Sequence, residues 1–143
     1  MQITRQDEYA IRTVFELAKL EKGEFIDSKT VARRQDLPEK FLNKTVQILA
    51  RSGLVESRRG MQGGIRLAIG ADRITMADVI EAIEGKIAIN PCLAENYYCE
   101  RMPACQVHRV LKRTQSVMLK ELNRESFADL VKEEKKAKSL LSI

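Results

Sequence analysis

The sequence has no tryptophan, one histidine, three cysteines and three prolines, and none of its apolar runs is long. A membrane-spanning helix needs about 20 consecutive apolar residues, so no membrane partner is expected. The opening, MQITRQDEYAIR, carries charges where a secretory leader has its apolar centre, so no leader of the usual kind is expected. The protein is therefore read as cytoplasmic, where thiols stay reduced. An odd count of cysteines argues against a disulfide framework and for metal binding or redox chemistry. What is present suits one globular unit with an appendage: 31% of residues are charged and 44% hydrophobic in a chain of 143. The net charge of +5 is uneven, with 13 basic against 9 acidic residues through Arg66 and 12 against 11 thereafter. Such a basic excess attracts nucleic acid or an anionic surface, weakly.

The pattern is mostly helical, with no internal repeat. Ile11, Val14, Phe15 and Ala18 recur at i, i+3, i+4, i+7 and predict a first helix from about Thr4 to Lys22, closed by Gly23. Asp27 or Ser28 can cap a short second helix to Gln35. Pro38 suits the first turn of a third, running to about Ser52. On the third helix Leu42, Val46 and Leu49 form the core stripe, while Lys40, Asn43, Lys44, Gln47 and Arg51 share a polar, basic face. LVESRRGMQGGIRLAI then alternates on both sides of a glycine-rich turn, a β-hairpin pairing Val55–Arg58 with Ile65–Ile69 and carrying Arg58 and Arg59 at its tip. The turn joins two strands and lacks the lysine of a phosphate loop, which argues against nucleotide binding.

Two helices at helix-turn-helix spacing followed by a basic hairpin describe a winged helix-turn-helix. In such a unit the second helix enters the DNA major groove and the wing lies along the backbone or in the minor groove. The expected fold is mainly α with a small β-hairpin wing, joined to a long dimerisation helix. A fourth helix should start at Thr75, with Asp78 completing its cap, and close at Gly85. The long helix, about Ala104 to Asn123, presents Val107, Val110, Leu111, Thr114, Val117, Met118 and Leu122 as a near-heptad seam. That seam is read as a dimer contact, the alternative being that it folds back on its own domain. Ser126 and Asp129 can cap a last short helix, SFADLV, before a solvated tail, KEEKKAKSLLSI. The division expected is 1–85 for the DNA-binding domain, 86–105 for a cysteine-rich loop, and 106–143 for the dimerisation helix and tail.

All the cysteines and the histidine fall in PCLAENYYCERMPACQVH, residues 91–108. The spacing is Cys92-x6-Cys99-x5-Cys105, then two residues to His108. Pro91 and Pro103 prevent one regular helix, and an irregular loop can wrap its thiols around a centre. Buried structural cysteines belong on apolar faces, whereas these lie among Asn90, Glu95, Asn96, Glu100, Arg101 and Gln106. Metal or cluster ligation is the favoured reading, and thiol–disulfide sensing or structural zinc the alternative. A catalytic role lacks a third orienting group or an oxyanion site, so the protein is not read as an enzyme. An electron-transfer protein that uses the winged domain only for docking is a further rival.

These residues resemble the IscR/NsrR-type iron–sulfur winged-helix bacterial transcription regulators over essentially the whole length. The likeness rests on MQITRQDEYAIR, on PEKFLNKTVQILARSGLVESRRGMQGG, and on three cysteines just before the dimerisation helix. It implies a homodimeric DNA-binding regulator, most simply a repressor, which binds a palindromic operator under the control of an iron–sulfur cluster sensing redox state, nitric oxide or iron status. It implies Cys92, Cys99 and Cys105 as cluster ligands. His108 matches the histidine that completes a 2Fe–2S centre in the regulators of cluster biogenesis. Glu8 of the partner subunit matches the acidic residue that completes a 4Fe–4S centre in the nitric-oxide-sensing branch. Arg59 and Gly60 match the wing-tip pair that reaches the minor groove. Together with Lys40, Asn43, Lys44, Gln47 and Arg58 they make up the expected DNA contacts. Two departures stand out. The first cysteine gap is one residue longer than in biogenesis regulators, and Asn43 stands where those carry a glutamate.

Overall fold

The computed structural model describes residues 2–141; Met1 of the opening motif, and Ser142 and Ile143 of the expected tail, lie outside the described residues. Three helices start at reciprocal caps. Before α1 (Arg5–Ala18), Thr4 Oγ1 accepts from the Asp7 N–H at 3.1 Å, and Asp7 Oδ2 accepts from the Thr4 N–H at 2.9 Å. This satisfies two of the donors that a helix start leaves free. α1 stops four residues short of the sequence expectation. The carboxylate of Glu24 turns back to accept from the Glu21 N–H, and Gly23 takes φ +86, so the chain reverses before Lys22 can extend the helix.

α2 (Ser28–Gln35) and α3 (Glu39–Arg51) form the helix-turn-helix, with Asp36 in the left-handed region between them. Pro38 sits one place earlier than expected, as the cap residue, where its carbonyl accepts from Phe41 and Leu42 and its missing N–H leaves no helical bond unmade. The wing follows: β1 (Val55–Arg58) pairs antiparallel with β2 (Gly64–Leu67), Val55 opposite Leu67 and Arg58 opposite Gly64. Ile26 pairs with Ile65 through two backbone bonds of 3.0 and 2.8 Å, which ties the wing to the segment entering α2. A methyl at Gly64 would strike the Ile26 carbonyl oxygen, and its φ of +135 is one that side chains rarely adopt, so glycine is required there.

α4 (Met76–Glu84) begins at the Thr75–Asp78 box and ends at Gly85, as expected. The long helix is α5 (Gln106–Leu122), and no residue of it is buried. Its seam divides. Met118 and Leu122, with Leu119, pack on Ala77, Ile80 and Ile87, whereas Val107, Val110 and Val117 remain exposed. α6 (Phe127–Leu140) is longer than the six residues expected, and it is docked. Phe127 is fully buried in the main core, its N–H donates to the Ile74 carbonyl, and Lys19 pairs with Glu134 at 3.1 Å. The lysines beyond are exposed along the helix. The core lies among α1, α3, α4 and α6, filled by Val14, Leu42, Leu49, Ile74, Val79 and Phe127. Burial of this apolar surface is what holds the short helices, since isolated helices of such length are marginal in water. Among the described residues no helix is long and apolar enough to cross a membrane.

Candidate nucleic-acid interface and cysteine loop

α3 turns Leu42, Thr45, Val46 and Leu49 inward and leaves Lys40, Asn43, Lys44, Gln47 and Arg51 exposed, as its 3.6-residue period dictates. Thr45 satisfies its hydroxyl on the Phe41 carbonyl at 2.8 Å, so a polar residue sits in the core stripe at little cost. Between α3 and the wing runs an open groove of about 740 Å3. Asn43, Gln47, Arg58, Arg59 and Gly60 line it, together with Asp27 and Ser28 at the start of α2 and Met61 at the wing tip. Five of the seven residues expected to touch DNA thus meet in one feature. Lys40 and Lys44 stand exposed on α3 beside it, outside its lining.

The arginines of the wing are held differently. The Arg58 guanidinium lies 4.7 Å from the centre of the Phe25 ring, and Arg66 lies 4.3 Å from the same centre. Arg66 is also bonded to both carboxylate oxygens of Glu56 at 3.2 to 3.3 Å, which neutralises it locally. Stacking on an aromatic face orients a guanidinium without consuming its hydrogen-bond donors. Among the described residues Lys40, Lys44, Arg58 and Arg59 enter no ion pair, so four positive charges face solvent unneutralised. Sequence reasoning did not single out Phe25, and it read Asp27 and Ser28 only as caps of the second helix. They lie in a stretch without periodicity, and only the Ile26–Ile65 pairing brings them beneath the wing.

The cysteine loop runs irregularly between α4 and α5, with single 3-10 turns at Pro91–Leu93 and Met102–Ala104 and a left-handed Asn96. It is anchored by the Ile89 N–H, which donates to Gln115 Oε1 of α5 at 2.9 Å. Cys105 caps α5, its sulfur accepting from the His108 N–H at 3.3 Å. On the other side His108 Nδ1 lies 3.4 Å from the sulfur of Cys92, which also accepts from Asn90 Nδ2 at 3.1 Å. The Cys105 thiol and the Cys92–His108 pair thus both lie at the N-terminus of α5. Cys99 makes no side-chain hydrogen bond with them, although its carbonyl accepts from the Met102 N–H. All three cysteines are free and half-buried. Among the described residues no three His, Cys, Asp or Glu side chains are gathered closely enough to hold a metal ion. Cys92 and His108 fit iron or zinc by donor type and by proximity; Cys105 and Cys99 fit by type alone. Glu8 is exposed on α1 and pairs with Arg12 at 2.7 Å.

A family model for Rrf2, described as an iron-dependent transcriptional regulator, matches residues 3–133. The chain is 30% identical to Protein rrf2 of Nitratidesulfovibrio vulgaris over 133 residues, 93% of this chain and 89% of that protein. IscR of T. potens superposes with a TM-score of 0.77 at 25% identity, over 96% of this chain and 90% of that one. CymR (YrzC), the global cysteine regulator of B. subtilis, superposes with a TM-score of 0.71 at 28% identity, over 93% and 98%.

Proposed function

Because the chain belongs to the Rrf2 family of transcriptional regulators, we propose that it is a homodimeric, non-catalytic repressor whose binding to a palindromic duplex operator is governed by an iron–sulfur cluster in the Cys92–His108 loop. The observation that carries the reading is the single groove shared by Asn43 and Gln47 of α3 with Arg58, Arg59 and Gly60 of the wing. Asn43 and Gln47 are of the type that pairs with adenine in the major groove, and the unneutralised arginines and lysines meet phosphate. Val107, Val110 and Val117 supply the apolar strip on which a second copy packs.

Cys92, Cys105 and His108 would hold the cluster, with Cys99 brought in from the loop and Glu8 of the partner subunit as the other candidate for the fourth position. When bound, such a cluster supplies reversible one-electron chemistry and a target for oxidants or nitric oxide. The chain's own residues supply the linkage. His108 begins α5, the far end of α5 packs on α4 through Met118, Leu119 and Leu122, and α4 packs on α1 and α3. A rearrangement at His108 thereby shifts one recognition helix relative to its mate.

A second reading is favoured because, among the described residues, no side-chain bond joins Cys99 to the other donors and no three are grouped to hold a metal: a cluster-free regulator that senses oxidants by disulfide formation or holds zinc. The likeness to CymR, a cysteine regulator that has also been solved in an oxidized form from Staphylococcus aureus, agrees with it. The deciding experiment measures iron, sulfide, zinc and the visible spectrum of protein purified without oxygen. Duplex sites selected from a random library are then bound by loaded and stripped protein. Matching iron and sulfide, with absorption lost in Cys99→Ala and different affinities for the two forms, supports the cluster. A colourless protein that resists reconstitution overturns it in favour of the second reading.

A further inference from the structure

Met61 is exposed over 105% of its reference area, and no other large hydrophobic residue described is so exposed. Folding gives it nothing to pack on. Its surroundings are as specific as its exposure. The Gly63 N–H closes the tip on the Gly60 carbonyl at 3.1 Å, with Gly60 at φ +108. A methyl at Gly63 would strike the Arg58 backbone, and one at Gly64 the Ile26 backbone. Between Arg59 and Ile65 the hairpin therefore carries only two side chains, Met61 and Gln62, on a backbone stripped to glycine at the other positions. The result is a thin tip with an arginine on one side, an unbranched thioether at its apex, and a strand edge pinned at Ile26.

The minor groove of B-DNA is about 6 Å wide, so it admits such a tip and few bulkier ones. Its negative potential draws in arginine, and the stacked faces between its base steps accept an apolar wedge. Methionine is flexible and polarizable, and belongs to the set of apolar side chains that wedge between base steps and kink a duplex. We propose that Met61 is an apolar wedge: it enters the minor groove beside Arg59 at each outer flank of the operator, lodges against a base step, and bends the duplex there. This rests on the reading of the chain as a DNA-binding regulator. It adds a source of sequence preference that α3 does not reach, because pyrimidine–purine steps such as TA and CA open most easily under a wedge.

The test uses the full-length dimer and random-library duplexes selected separately by the wild type, Met61→Ala and Met61→Leu. Because Met61 touches nothing in the folded chain, an unchanged melting midpoint serves as the folding control. The wild type and Met61→Leu should enrich TA or CA steps at the outer flanks. Met61→Ala should keep the same inner bases, lose the flanking preference, bind TA-flanked sites about tenfold more weakly, and bend them less as read by end-to-end fluorescence transfer. Equal flanking preference and bend in the wild type and Met61→Ala would overturn the wedge while leaving operator recognition intact. A wild type that enriches no sequence would overturn both the wedge and the reading beneath it.

Discussion

His108 meets two thiols through different atoms, its ring Nδ1 lying 3.4 Å from the Cys92 sulfur while its backbone N–H donates to Cys105. Cys105 therefore has a structural task as well as its proposed ligand role, and the two are separable. Serine retains an oxygen that can cap α5 and alanine does not. Cys105→Ala should lower the stability of the cluster-free protein by about 1 kcal/mol, and Cys105→Ser should leave it nearly unchanged. Both should fail to retain iron. Denaturant titration of the stripped protein, beside iron analysis of protein purified without oxygen, reads the two tasks apart. Equal loss of stability in both variants would remove the capping role.

Val117 and Leu122 lie on the same helix with opposite roles. Val117 is 69% exposed, and Leu122 packs on α4. Val117→Glu should halve the sedimenting mass while helix content is retained, whereas Leu122→Glu should unfold the junction between α4 and α5. A dimer that survives Val117→Glu at micromolar concentration would move the subunit contact off this face.

On α3, Lys44→Ala should weaken binding to all duplexes alike and reduce the slope of log affinity against log salt by about one unit. Asn43→Ala should instead relax base preference at one position by about 1–3 kcal/mol and leave the salt slope unchanged. The pattern of the two slopes checks both assignments, and a salt slope unmoved by Lys44→Ala would count against its phosphate contact.

Much of this was legible in the residues. The apolar period of α3, the glycine-rich turn of the wing and the Thr75–Asp78 cap are local signals, and local signals survive folding. The docking of α6 was not legible. Phe127 and Val131 form too short an apolar pattern to announce a core position, and only tertiary contact with Ile74 and α1 shows where they belong. The exposed half of the α5 seam was legible as apolar, but its division was not, because a heptad pattern does not say which helix fills which side. The same limit applies to the cysteines. Spacing in an irregular loop brought Cys92 to His108 across sixteen residues, and nothing in the spacing distinguished that pair from Cys99.

Glu16 supplies a pH dependence. It is 4% exposed and accepts from Gln35 at 2.8 Å, Arg34 at 3.1 Å and Lys19 at 3.4 Å. Burial pushes its carboxyl up, but the bonds from Gln35 and Arg34 and the charge of Lys19 outweigh that, so its pKa lies below the ordinary glutamate value. A carboxylate with a lowered folded pKa stabilises fully above its unfolded value, about 4.3, and loses that contribution as pH falls through the folded one. Glu16→Gln should therefore flatten the acid limb of the stability curve below about pH 4.3. An unchanged acid limb would place the titration elsewhere.

The backbone pairing of Ile26 with Ile65 has a consequence for how control can operate. It fastens the wing to the entry of α2, so the groove and the hairpin tip move as one jaw. The bite of that jaw on its own half-site is fixed by covalent geometry and two hydrogen bonds, whatever happens at the cysteines. In the proposed dimer, what a signal can still alter is the span between the two jaws, as in a caliper whose tips are cast and whose hinge is free. Operators for this protein would then be told apart under changing conditions by the number of base pairs between their halves, with the letters inside each half held constant.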